Sequence, residues 1–220
     1  DEAEREAAAG AAPRGRVRVN ASVPFGTHHL LPLVPGFLER FPEVTLDIVL
    51  NDQVIDLLEQ RADVAIRVGP LRASQLVARK LGTSAMVVVA APGYLARHGV
   101  PGGLAELAAH NLIGFNFARS FEEWPFCVDR RIETVPACGN AQVGDGESAR
   151  LLALAGVGLA RLARVHVGPD IAAGRLVPVL EALNPGDREE IHAVHAGQGG
   201  HVPSRVRVFI DYLVQTIRLA

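Results

Sequence analysis

Apolar and polar positions alternate along Val17–Val23 (VRVNASV), Val44–Leu50 (VTLDIVL) and Asp63–Val68 (DVAIRV), the period-two pattern of strands. Between the first two, Leu30, Val34, Phe37, Leu38 and Phe41 recur at i, i+4, i+7, i+8 and i+11. That spacing is one apolar stripe of a helix over Thr27–Arg40. Pro32 and Pro35 each lack an N–H, so the first two turns of this helix are expected to kink. A second helix fits between the second and third strands. Strands alternating with helices at this spacing predict right-handed βαβ units on a parallel sheet. Sheets of this kind bind ligands beyond the C-terminal ends of their strands, which puts the Ser22-Val23-Pro24-Phe25-Gly26 junction at a pocket position.

Farther along, Leu81–Pro92 contains the dense apolar run Met86–Ala91 and reads as a buried strand. Leu104–Ala109 reads as a short helix opened by Gly102-Gly103, and Leu112–Phe117 as a strand. Trp124–Val128 and Arg131–Val135 suit a hairpin turning at Asp129-Arg130. Gln142–Gly146 leads into a helix over Glu147–Ala155, followed by a brief strand at Leu159–Leu162. One helical turn, Asp170–Ala173, is closed by Gly174, and strands follow at Leu176–Leu180 and Glu190–Ala196. After Pro203 a last helix aligns Val206, Phe209, Ile210, Leu213 and Ile217. At the other end, Asp1–Ala9 reads as the tail of a helix and Gly10–Gly15 as a linker.

With 220 residues, 49% of them hydrophobic, the chain has room for one large domain or two small lobes with a substantial core. No apolar run reaches the ~18–20 residues of a membrane helix. The charged, alanine-rich start DEAEREAAAG is not a signal peptide, and a chain opening at Asp1 implies a segment upstream. Net charge is −2 with no basic stripe, which argues against DNA contact by this chain itself. Cys127 and Cys138 show neither CxxC nor metal-type spacing, as expected of an intracellular protein with two thiols.

Candidate chemistry is sparse. A helix beginning near Gly26 would offer free backbone N–H groups and a partial positive charge, Ser22 a hydroxyl, and Gly26 room for close approach. The same residues fit an ordinary strand-to-helix turn. Arg67, near the C-terminal end of its strand, has the guanidinium fork that holds a carboxylate, and equally suits an arginine reaching into solvent. Asp145, in Gly144-Asp145-Gly146-Glu147-Ser148, is an expected N-cap that either only caps or also lines a pocket. Gly156-Val157-Gly158 fails as a dinucleotide loop because Arg161 stands at the third glycine position and a helix precedes it. His192 and His195 on one strand point to opposite faces, so no metal site is expected, and no cofactor motif is present. Gly146-Glu147-Ser148-Ala149-Arg150 breaks the nucleophile-elbow pattern at its last position, so no enzyme is expected.

Together the segments GRVRVNASVPFGTHHLLPLVPGFLERFPEVTLDI, DLLEQRADVAIRVGPL, LVARKLG, VVVAAPGYLARHGVP, LAAHNLIGF, DGESARLLALAGVGLA, AAGRLVPVL and VPSRVRVFIDYL follow in order from Pro13 to Ile217. They resemble the effector-binding domain of bacterial LysR-type transcriptional regulators, within the branch of the CrgA-like regulators. The resemblance implies an α/β fold of two Rossmann-like lobes joined by two crossing strands, like a type II periplasmic binding protein. Residues 1–14 would end a linker helix and linker, 15–90 plus 191–220 would form lobe I, and 91–190 lobe II. It further implies a small effector, suited to be a carboxylate, between the lobes, around Ser22, Val23, Pro24, Phe25, Arg67, Asn116 and Asp145. Phe25 with Phe115 or Phe117 would supply apolar walls. DNA would be met only through an N-terminal winged helix-turn-helix outside this sequence, by a cytoplasmic homodimer or, at full length, homotetramer, with no membrane partner. A solute-binding protein of a transport system shares the fold and is the alternative. One departure stands out: Arg161-Leu162-Ala163-Arg164 occupies a place where the family commonly carries an aliphatic pair and a proline, bringing an unusual charge or a rearranged loop.

Overall fold

The computed structural model describes residues 12–52, 62–69, 76–116, 123–196 and 202–219. The expected linker-helix tail, the helix between the second and third strands, Phe117 and His201 lie outside them. Along the chain, β1 (Gly15–Ala21) is followed by short helical pieces at Val23–Phe25, Gly26–Leu30 and Leu31–Leu33, then by α1 (Val34–Arg40). Next come β2 (Val44–Leu50), β3 (Val64–Val68), β4 (Leu76–Ala90), α2 (Pro92–His98) and a 3-10 helix at Leu104–Ala109. The middle of the chain holds β5 (Gly114–Phe115), β6 (Glu123–Val128), β7 (Arg131–Pro136), β8 (Gln142–Val143) and α3 (Gly146–Leu154). It ends with β9 (Ala160–Ala163), α4 (Arg164–Ala172), β10 (Val177–Val179), a 3-10 turn at Glu181–Leu183, β11 (Arg188–Ala196) and α5 (Ser204–Thr216).

Two compact units result, one running to Thr83 and resuming at Glu190, the other Ser84–Glu189. The chain therefore passes from one to the other within β4 and again within β11, and the first boundary falls inside β4 rather than at its end.

In the first unit, β1 lies parallel to β2, from Gly15 opposite Val44 to Ala21 opposite Leu50, and parallel to β3. β11 runs antiparallel to β3, with His192 opposite Arg67 and His195 opposite Val64. The sequence alternation is realised on β1: Val17, Val19 and Ala21 are buried while Arg16 and Arg18 are exposed. Val64, Ala65 and Ile66 are all fully buried, as befits a strand with neighbours on both sides and cover on both faces. α5 buries Val206, Phe209, Ile210 and Leu213, the stripe read from the sequence, and Ile217 just past its end is buried too. Phe37 of α1 meets Phe209 edge-on, 5.2 Å between ring centroids, and Tyr212 at 5.3 Å. The expected kink is a change of helix type. Gly26–Leu30 is a π-helical turn and Leu31–Leu33 a 3-10 turn, because Pro32 and Pro35 cannot supply the N–H groups of a continuous α-helix.

In the second unit, β4 pairs antiparallel with both β9 and β10. Its apolar run divides between two cores by parity. Val88 and Ala90 join Tyr94, Leu107, Trp124, Phe126 and Leu159, whereas Val87 and Val89 join Ile113, Ala149, Ala153, Leu162 and Val167. The hairpin β6–β7 turns at Asp129 and Arg130, whose φ values of 47° and 63° lie in the left-handed region that a tight two-residue hairpin turn uses to match the twist of its strands. α4 is longer than the single turn expected at Asp170–Ala173. The helix starts at Arg164 and runs through Pro169. Asp170 on this helix is 1% exposed; its Oδ1 accepts from Arg175 Nε at 2.8 Å and its Oδ2 forms an ion pair with Arg150, Nε at 2.8 Å, so its charge is met from two sides.

Candidate functional site

In the first unit the candidate residues gather where β1 and β3 end. Ser22 directly follows β1 in extended conformation (φ −60°, ψ 146°) and starts the helical run, its main-chain carbonyl accepting Gly26 N–H at 2.8 Å. Its hydroxyl does not cap that run and, although buried, makes no hydrogen bond. Val23 is half-buried and Pro24 buried. Phe25 is fully buried, with its ring 5.2 Å from that of His29. Gly26 is required for space, since a Cβ there would overlap the Leu50 side chain.

Arg67, half-buried on β3, turns back along the sheet: its Nη1 donates to Asn20 Oδ1 at 2.5 Å. On the neighbouring strand His192 lies opposite it, with Nε2 3.6 Å from Glu190 Oε2. Glu190 in turn accepts from Lys80 Nζ at 2.5 Å, and that hydrogen bond together with the lysine charge holds its carboxyl below the usual range. The histidines separate by parity as expected, His195 being 6% exposed on the opposite face of β11.

In the second unit the parallel pairing of β5 with β8 brings Asn116 beside Gly144, and Asn116 N–H donates to Val143 O at 3.0 Å. The Asn116 side chain is exposed. Asp145 is the N-cap of α3: Oδ1 accepts Ser148 N–H at 2.7 Å and Oδ2 accepts the Ser148 hydroxyl at 2.7 Å. Its carboxylate is thus engaged by its own helix. Phe115 is half-buried against one of the cores.

Two features escaped the sequence reading. Asn20 is 4% exposed near the C-terminal end of β1, although the run Arg16, Arg18, Asn20, Ser22 already marked one polar face. Arg161 is 7% exposed and its Nη2 donates to both Asp187 oxygens at 2.6 Å, so the unusual charge is neutralised. A small cavity beside it is lined by Val88, Phe126, Val179, Leu180 and Asn184. Cys127 and Cys138 are free thiols. Among the described residues no three His, Cys, Asp or Glu side chains gather as metal ligands, and no helix is long and apolar enough to cross a membrane.

A sheet whose strands alternate with helices, carrying polar side chains where its parallel strands end, defines a ligand-binding α/β domain of the type II periplasmic-binding kind. The family model for the LysR substrate binding domain matches residues 10–218, and the chain belongs to that family, the effector-binding part of LysR-type transcriptional regulators. The transcriptional regulator CrgA of Neisseria meningitidis serogroup C is 36% identical over 205 residues, 93% of this chain and 68% of that protein. PtxR of Pseudomonas aeruginosa is 35% identical over 205 residues, 91% of this chain and 64% of that regulator. The solved regulatory domain of Neisseria meningitidis CrgA superposes with a TM-score of 0.86 at 34% identity, covering 94% of this chain and all of that one. Full-length AphB of Vibrio cholerae gives 0.79 at 28% identity, covering 93% and 69%. The transport-protein alternative is not favoured. Regulators of this family bind small-molecule effectors and DNA and work as oligomers.

Proposed function

We propose that this domain senses a small aromatic or aliphatic carboxylate and chemically transforms nothing. The observation that carries the reading is the guanidinium of Arg67 on β3, tied to β1 next to the Ser22 turn, where parallel strands present ligands. Ser22, Val23 and Pro24 form the rest of this contact set, with Phe25 backing it from the core. In the second unit, Asn116 is exposed and Asp145 caps α3. The domain acts in the cytoplasm within a homodimer, or a homotetramer at full length, and reaches DNA through a winged helix-turn-helix N-terminal to this sequence. Ligand binding alters promoter engagement only if the ligand favours one arrangement of the protein over another.

Thermal denaturation of the chain with benzoate, acetate and succinate tests this. A ligand that binds only the folded protein raises the midpoint progressively with concentration, and the acid is recovered unchanged. No shift with any of the three contradicts the carboxylate reading, and conversion of the acid contradicts the sensor reading.

A further inference from the structure

The hairpin β6–β7 is a two-stranded sheet with no third strand among the described residues, and its two edges differ. A two-residue turn is closed by a hydrogen-bonded pair, here Val128 with Arg131, and such pairs recur at every second residue. Phe126 with Glu133 and Trp124 with Val135 therefore bond across the hairpin, whereas Pro125 on β6 and Ile132 and Thr134 on β7 turn their main chain outward. Pro125 has no N–H to offer, and Trp124 and Phe126 anchor β6 in the core. On β7 every residue from Arg131 to Thr134 is exposed, Ile132 to 62%. Arg131 and Glu133 form no ion pair with any described residue. The open edge of the hairpin thus belongs to β7, and it carries an exposed isoleucine between two unpaired, opposite charges.

This order of charges is complementary to itself. When two copies of β7 lie antiparallel about a dyad at Ile132, the outward N–H and C=O of each Ile132 meet those of its counterpart. Arg131 of each copy then stands directly opposite Glu133 of the other, in the non-hydrogen-bonded pairing where opposed side chains come closest. The two isoleucine side chains meet on the other face. Neighbouring registers are worse. A dyad at Glu133 sets the two glutamates against each other, and a dyad at Thr134 puts Pro136, which lacks an N–H, opposite Ile132. Pairing uses up both open edges, so the assembly closes at two copies.

We infer that β7 is an interface between two copies of this chain, joined edge to edge through Ile132 and two Arg131–Glu133 pairs. The contact is independent of the carboxylate reading above.

Sedimentation velocity over a range of protein concentrations tests the contact. The samples are the wild type, Arg131→Glu, Glu133→Arg, the double variant and an equimolar mixture of the two single variants. Both side chains are exposed, so each variant melts with the wild type. The wild type gains mass as concentration rises. Each single variant sets like charges opposite each other twice and raises the concentration of half-association about tenfold or more. In the mixture, a chain with glutamate at both positions meets one with arginine at both, and association returns. The double variant, its charges exchanged, associates like the wild type. Coincident curves for all five samples overturn the inference, because association then runs through other surfaces. Losses that neither the mixture nor the double variant recovers overturn it as well. A wild type that gains no mass overturns it and leaves the edge to a strand from a different protein.

Discussion

Arg161 on β9 directs one guanidinium nitrogen at both carboxylate oxygens of Asp187, 2.6 Å from each, and the two ends of this pair are unequally buried. The arginine side chain is 6% exposed and the aspartate 40%. The burden of desolvation therefore falls on the cation, and removing either partner has a different consequence. In Asp187→Ala the guanidinium stays buried without its counter-charge, at a cost of roughly 2–4 kcal/mol once water access through the vacated site is allowed for. In Arg161→Leu the buried charge is replaced by apolar volume among Val88, Phe126 and Val179, while Asp187 is left able to hydrate. That change stays within about 1 kcal/mol of the wild type. Chemical denaturation of the two variants checks the contrast, and equal losses refute it.

Tyr94 links His110 to the start of the next segment. Its Oη accepts Asn111 N–H at 2.9 Å and sits 3.2 Å from His110 Nδ1. Burial, and then the neighbouring His98, hold His110 below the usual histidine range, with Glu106 opposing them. A lowered folded pKa means that the unfolded chain takes up the proton first as pH falls. Stability is full above the ordinary histidine pKa of about 6.5 and declines as pH falls from there through the folded value. The melting temperature of the wild type should drop more steeply between about pH 7.5 and about pH 5.5 than that of His110→Gln, which has nothing to titrate at this position. Parallel slopes would exclude His110 as the source.

A Cβ would meet a close neighbour at both Gly158 and Gly26, but the neighbours differ in how far they can yield. A Cβ at Gly158 would overlap the Asn111 carbonyl oxygen, whose segment is held by Leu159 N–H donating to that oxygen at 2.9 Å and by Asn111 Nδ2 donating to Val157 O at 2.8 Å. A Cβ at Gly26 would meet only the end of the Leu50 side chain, which can change rotamer. Gly158→Ala is expected to cost about 3 kcal/mol or more and Gly26→Ala about 1–2 kcal/mol. Urea denaturation of the two alanine variants gives the order, and the reverse order would show that the first segment yields more easily than its hydrogen bonds imply.

Much of this fold was legible because its signals are local. β2 occupies Val44–Leu50 as its alternation predicts, and the α5 stripe from Val206 to Leu213 is the buried face. The Asp129-Arg130 turn was visible from two short apolar runs separated by two residues. What escaped depended on contacts distant in sequence or on an ambiguous local cue. The single turn expected at Asp170–Ala173 is the end of α4, which begins at Arg164 and runs through Pro169. Arg161 reads in sequence as an unusual charge or a rearranged loop, because its partner Asp187 lies 26 residues away and carries no motif. Asn20 was marked by parity as polar-facing, but only the hydrogen bond from Arg67, 47 residues later, shows how its amide is turned. Phe25 is expected at the pocket from its position in the turn, and only the fold shows that its ring is fully buried, 5.2 Å from that of His29.

The central claim is that the end of β1 and the guanidinium on β3 together hold a small acid. Calorimetric titration of wild type, Ser22→Ala and Arg67→Ala with benzoate, acetate and succinate addresses it most directly. The account predicts that at least one of these acids binds the wild type with a single ligand per chain and is weakened by about tenfold or more in each variant. The same affinity in all three proteins would contradict it.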